Sequence, residues 1–488
     1  MTSQGPRAGE RRAGTVFGHP VGLANLLGVE MWERFSFYGM LTILGYYLYF
    51  SVTDGGLQLP RTTAVGIVGA YGGLVYLSTV LGGWVADRLL GMERTIFYGG
   101  VCVLAGHVVL AVVPGMTGLA AGLLSVAVGS GGVKANAAAL LGTLYQPADP
   151  RRDGGFTLFY FGANLGALIG PLVTGLLQTR LGFHYGFGAA AVGMAAGLAQ
   201  YLMFRRNLGG AGRGAPHPLP PSRYGRIAAI ALGAVVVIAA VTATGWVRLD
   251  DLAEVTAAML VAVSVGYFVV LLSSAKVTGA ERLRVRAFVA IFLANVVFAA
   301  LFQQIFTVLA VYSAERIDWS VSGWTAPPSL IGSIEPVWLI VLAPLFAALW
   351  TRLGSRAPST PHKMAYAVVG IGVAFLLFVP LAGFTGRSVP VLLVAAIMVV
   401  VAVAELLLAP IGMSVTTQLA PAAFRAQMMA LYFFSVGLGT AISGVLGRFY
   451  APGHEVVYFG LSGAVAVVAG LVLFALAPRI STLMNGVH

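Results

Sequence analysis

Glu30, Glu33 and Arg34 stand at positions i, i+3 and i+4 of an apolar run from Leu23 to Phe50, so on a helix they share one face. The run is long enough to cross about 30 Å of hydrocarbon. One charge at the centre of a bilayer costs about 2.5–3.5 kcal/mol on insertion scales, so three together exclude a position facing lipid. They must pair with each other and with another helix around a water-accessible path, where taking up a proton would change their partners. Lys134 is the lysine that falls inside an apolar span, and it needs a carboxylate partner of its own. Glu335 and Glu405 lie in later apolar runs.

The elements that must position these groups follow from composition. Of 488 residues, 58% are hydrophobic and only 9% are charged, with a mean hydropathy of +0.88. A soluble protein cannot hide that much apolar surface, so the chain is a polytopic, all-helical membrane protein. Punctuation by Gly, Pro and charge gives about fourteen spans. Their limits are 23–50, 63–89, 95–113, 117–144, 155–179, 184–204, 226–246, 252–274, 284–313, 329–353, 362–382, 389–418, 424–449 and 455–476. With the N-terminus in the cytoplasm, most arginines fall in inner segments, whereas Arg61, Arg180, Arg248, Arg316, Arg387 and Arg448 fall outside. The net charge of +12 is therefore a topology signal and not a nucleic-acid footprint. Cys102 is the single cysteine, which excludes a disulfide framework and a thiol metal site. The first span is too long and too charged for a signal peptide, so no cleavage is expected. The histidines, His107 and His184 among them, form no catalytic constellation with Ser, Cys or carboxylate, which argues against an enzyme. The charges form a mixed cluster and not rings of one sign, which argues against a channel.

Several segments together are similar to a known family. Glu30-Met31-Trp32-Glu33-Arg34-Phe35 with Tyr38-Gly39 resembles the first helix of the proton-dependent oligopeptide transporter family, within the major facilitator superfamily. Gly83-Trp84-Val85-Ala86-Asp87-Arg88 with Gly91 resembles the superfamily loop between helices two and three; small residues there allow close helix approach, and an Asp–Arg pair can latch neighbouring helices. Lys134-Ala135-Asn136 resembles a family Lys-Pro-Asn pattern. The aromatic stretch 156–161 followed by Asn164-Leu165-Gly166 and the Glu405-Leu406…Pro410-Ile411-Gly412 stretch match as well.

The resemblance implies two six-helix bundles, 23–204 and 275–478, joined by a cytoplasmic linker at 205–225 and an inserted hairpin at 226–274, with cytoplasmic tails at 1–22 and 479–488. That hairpin carries almost no interior charge and is expected to be peripheral. The resemblance assigns proton coupling to Glu30, Glu33, Arg34 and Lys134, with Glu30 or Glu33 as the partner of Lys134. It assigns substrate binding to Tyr38, Tyr71, Asn164, Phe302, Gln303, Glu335, Glu405 and Tyr432, and gating to Arg61, Glu315, Asp87 and Arg88. The chain also departs from the family. Leu41 stands where an arginine is usual, Gln303 where a glutamate is common, Tyr432 where a tryptophan is usual, and Glu335 where the pattern has asparagine. Losing both members of an ion pair can be nearly neutral, so the paired absence at Leu41 and Gln303 reads as a re-specified pocket. Four carboxylates against Arg34 and Lys134 leave the expected cavity net negative, which favours substrates with amines and a weakened or missing α-carboxylate. The expected activity is proton-coupled symport of di- or tripeptides or peptide-like amines by alternating access. The alternative is proton-antiporting export of a drug or cationic metabolite. The expectation includes no cofactor besides the proton, no nucleic-acid partner, a monomer, and a bacterial inner membrane as its location.

Overall fold

In the computed structural model the described residues run from 15 to 484, apart from 17, 147, 148, 150, 231, 232, 234–244, 246 and 322. Arg7, Arg11 and Arg12 of the tail, and most of the expected span at 226–246, lie outside them.

Hydrocarbon offers backbone groups no partner, so each apolar run closes its own hydrogen bonds as a helix. The first bundle consists of α1 (Val21–Tyr49), α2 (Arg61–Val85), α3 (Met92–Val112), α4 (Gly115–Thr143), α5 (Arg152–Leu181) and α6 (Phe183–Phe204). In it α1 packs against α5 and α6, and α4 against α2 and α3. Next in the described chain comes α7 (Leu252–Ser273), the second arm of the hairpin. The second bundle begins with α8 (Gly279–Phe302) and α9 (Val308–Glu315), one span interrupted by a 3-10 turn at Gln303–Phe306. It continues with α10 (Ile331–Leu353), α11 (Thr360–Leu376), α12 (Val391–Leu419), α13 (Arg425–Gly447) and α14 (Glu455–Leu483). Among the described residues, 12 helices are long and apolar enough to cross a membrane. α1 adds a 29-residue span whose charges dilute its hydropathy, so with the run at 226–246 the architecture is the major facilitator fold with an inserted hairpin.

The bundles meet through α2 with α13 and α5 with α10. On the half that carries the loop between α1 and α2 they are closed. A Cβ on Gly69 of α2 would lie 2.5 Å from the Cα of Gly444 on α13, so only glycine permits that backbone approach. Tyr46 donates to the Ala310 carbonyl at 3.0 Å, Ser333 donates to that of Leu168 at 3.0 Å, and Arg61 pairs with Glu315 at 2.7 Å. The contacts joining the bundles continue inward to the levels of Tyr160–Glu405 and Tyr76–Phe433.

Helix α7 is less peripheral than its composition implies. It packs on α2 and α13 together. At its N-terminal end Thr63 of α2 donates to Asp250, while Arg448 beyond α13 pairs with Glu254.

The linker after α6 folds back on the end of the first bundle that carries the loop between α2 and α3. Its His217 and Leu219 amides donate to the carbonyls of Asp87 and Arg88 at 3.0 and 2.9 Å. Gly91 has φ +81°, a left-handed conformation that suits glycine, and a Cβ there would meet the Gly212 carbonyl at 2.5 Å. Beside it Glu93 is fully buried and held by Arg205 and Arg213.

Candidate functional site

The site grows from the inner-facing side of α1. Arg34 Nη2 lies 2.7 Å from Glu30 Oε1 and its Nε lies 3.7 Å from Glu33 Oε2. Lys134, carried on α4, places Nζ 3.1 Å from Glu33 Oε1 and 3.2 Å from Oε2. Its ammonium also sits 4.2 Å over the Phe37 ring, where the ring face offers it negative potential. Glu30, Glu33 and Lys134 are buried, at 3%, 0% and 7% exposure. Of the two partners open to Lys134, the structure selects Glu33. The four coupling candidates thus form one connected cluster, and none of them faces lipid alone.

Aromatic side chains carry the cluster toward the second bundle. Tyr38 stacks on Phe306 of the 3-10 turn, with ring centroids 5.6 Å apart, and Tyr71 stacks on Phe37 at 6.2 Å. Phe302 stacks on Phe298 at 5.7 Å within its own helix. Leu41 and Gln303, the two neutral departures, line one small space between the bundles together with Phe37, Tyr76 and Phe306. The space around the two departures is therefore lined without charge.

The second bundle contributes Glu335 from α10 and Glu405 from α12, whose carboxyl groups lie within hydrogen-bonding reach of each other. Glu335 Oε1 and Glu405 Oε2 are buried and find no donor. Tyr160 of α5 donates to Glu405 Oε1 at 3.5 Å across the bundle interface. Asn164 does not reach this pair; its amide donates to the Tyr160 carbonyl at 2.9 Å, one turn back on the same helix. Tyr432 donates to the Ala409 carbonyl at 3.2 Å, which places it beside Glu405 without a direct bond.

The gating candidates divide. Arg61 and Glu315 pair as expected. The Asp87 and Arg88 side chains are exposed, and their backbone carbonyls receive the linker instead. Sequence reasoning did not single out Tyr160, Phe306, Tyr76 or Glu93. Of these, Glu93 carries a signal as an acid beside Arg94 just before an apolar run, and Tyr160 falls in the aromatic stretch 156–161 without standing out from it. A groove of about 910 Å³ lined by Trp32, His184, Tyr185 and Val192 lies on the flank of the first bundle, apart from this polar site.

Comparison with known proteins agrees with this geometry. Residues 93–466 match the family model of the POT family. A di-/tripeptide transporter of Lactococcus lactis subsp. cremoris is 37% identical over 490 residues, covering 97% of this chain and 98% of the relative. The uncharacterized transporter YclF of Bacillus subtilis (strain 168) is 40% identical over 475 residues, covering 96% of each. Among solved structures, a peptide transporter POT in complex with alafosfalin superposes with TM-score 0.91 at 42% identity, covering 97% of this chain and 98% of the other. A POT family transporter in complex with 5-aminolevulinic acid gives TM-score 0.91 at 35% identity, covering 96% and 98%. Matches of this extent, over nearly the whole of each chain, make this protein a member of the POT family of membrane transporters and not an enzyme.

Proposed function

We propose that the protein is a proton-coupled symporter of di- or tripeptides or peptide-like, amine-bearing compounds, working by alternating access in the bacterial inner membrane with both termini cytoplasmic. Relatives named as di-/tripeptide transporters support the substrate class, as do related structures holding alafosfalin and 5-aminolevulinic acid. The observation that carries the coupling is the distribution of bases. Lys134 is engaged by Glu33 on its own bundle, while Glu405 on the opposite bundle has, among the described residues, Tyr160 and Glu335 as its partners and no base.

In this mechanism a proton arriving at Glu33 or Glu30 cancels the carboxylate that holds Lys134 and Arg34. Lys134 is then free to approach Glu405, drawing the inner ends of the bundles together while the outer side opens. Substrate amine competes for the same acid, and Tyr38, Tyr71, Asn164, Phe302, Gln303 and Tyr432 line its path. One elementary charge moving across 100 mV supplies about 2.3 kcal/mol, enough to make the proton a usable driver.

The test is transport in proteoliposomes. Glu33→Gln should reduce uptake driven by an inward proton gradient to background yet retain counterflow exchange of the same peptide. Driven uptake at the wild-type rate would remove Glu33 from the coupling path. Accumulation that follows an outward gradient instead would favour antiport.

A further inference from the structure

We propose that Glu335 and Glu405 hold one shared proton and release it when the ammonium group of a substrate enters between them, so that the second bundle carries a proton–cation exchange site separate from the cluster on α1. This rests on the reading of the protein as a transporter of amine-bearing compounds and adds to it.

The argument is geometric. Glu335 is 5% exposed and its carboxyl faces that of Glu405 within hydrogen-bonding reach. Two of the four oxygens, Glu335 Oε1 and Glu405 Oε2, are buried and meet no donor. Carboxylates can meet at such a distance, away from water and bases, only if a proton lies between them. Among the described residues, the titratable groups that act on the pair come from four helices. They are Tyr160 from α5, which donates to Glu405, Tyr38 from α1, Tyr76 from α2 and Tyr432 from α13. All are phenols, neutral near pH 7. Arg34 is occupied by Glu30 and Glu33, and Lys134 by Glu33.

The charge balance makes exchange the natural reaction. A carboxylic acid beside a carboxylate carries one negative charge. When R–NH3+ binds, the O–H bond of the acid breaks and the proton leaves to water. Two carboxylates and one ammonium remain, again one negative charge. The buried site never changes its net charge, which avoids the cost of leaving an unpaired ion there. An ammonium also brings three donors to the oxygens that now lack any. A single glutamate with asparagine at position 335 would lack this proton, so the device belongs to the Glu335 substitution.

The experiment is isothermal titration calorimetry on the full-length protein in nanodiscs at pH 6, with L-alanyl-L-alanine amide as the cationic probe. Comparing buffers of different ionisation enthalpy gives the protons released per ligand bound. The wild type should release about one proton, and Glu335→Gln should bind with release close to zero. A second readout needs no variant: the infrared band of a protonated carboxyl should vanish when the probe is added to the wild type. Binding without proton release in the wild type, equal release from Glu335→Gln, or an unchanged band each overturns the exchange and leaves the transport reading intact. Failure of the wild type to bind the amide, while it still binds L-alanyl-L-alanine, overturns the amine role of this pair alone. Failure to bind either compound removes the transport reading as well.

Discussion

Both oxygens of Glu33 lie within 3.2 Å of the Lys134 ammonium, and this one residue also lies 3.7 Å from Arg34. Removing one member of a buried pair leaves an uncompensated charge, at a cost of about 3–5 kcal/mol. Lys134→Ala should therefore lower the thermal midpoint of the purified protein and abolish uptake. Adding Glu33→Gln should recover most of the midpoint but none of the uptake, as differential scanning fluorimetry and transport together would show. The cluster was readable in the chain because charges inside an apolar run have no bland explanation of equal weight. Tyr160, Tyr76 and Phe306 were not. Aromatic residues are ordinary in membrane helices, and Tyr160 reaches a partner 245 positions away. No local pattern encodes such a meeting. Likewise Leu41 and Gln303 stood out only against the family pattern, while their shared space is a fact of packing.

At the scale of elements, helix number and order were legible because about 20 apolar residues in sequence admit few alternatives. The break between α8 and α9 was not. The expected span ran unbroken from 284 to 313, whereas Gln303–Phe306 forms a 3-10 turn with no Pro or Gly to announce it. Phe306 is held there by stacking on Tyr38, so a tertiary contact sets the local conformation. Prolines mark other weak points: Pro336 follows Glu335 directly in α10, and Pro410 lies one turn beyond Glu405 in α12. Each removes a ladder hydrogen bond near the acid pair and allows its helix to bend there. The approach of α2 to α13 gives a direct test. Gly69→Leu would place a side chain against Gly444 and hold the outer halves apart. It should raise labelling of an outer-vestibule cysteine by a membrane-impermeant maleimide and stop peptide uptake. The linker offers another. Glu93→Ala frees Arg205 and Arg213, and protease cleavage within residues 205–224 of inside-out vesicles should rise several-fold.

For the molecule as a whole, under the proposed alternating access, the closed half and the Arg61–Glu315 pair describe one end of a cycle. Cysteines at these two positions, in a Cys102→Ser background, should be bridged by a reducible bismaleimide that arrests uptake and releases it on reduction. Uptake that continues while the bridge is intact would show that this rim need not part. Arg61 and Glu315 were legible only through family likeness, since each is an unremarkable charge at the end of an apolar span.

The hairpin bears on the same cycle. α7 touches the first bundle through Asp250 and Thr63, and the second through Glu254 and Arg448. If the rim parts, these two moorings are pulled in opposite directions, and a two-point anchorage becomes a one-point one. The weaker line is the hydroxyl on Asp250, which has Arg248 at 3.8 Å as a substitute partner, so α7 would leave with α13 and its neighbours. An appendage that offers nothing to a solute thus acts as a tether that adds to the work of opening, and cutting that tether would make the protein rest more often with its mouth to the outside.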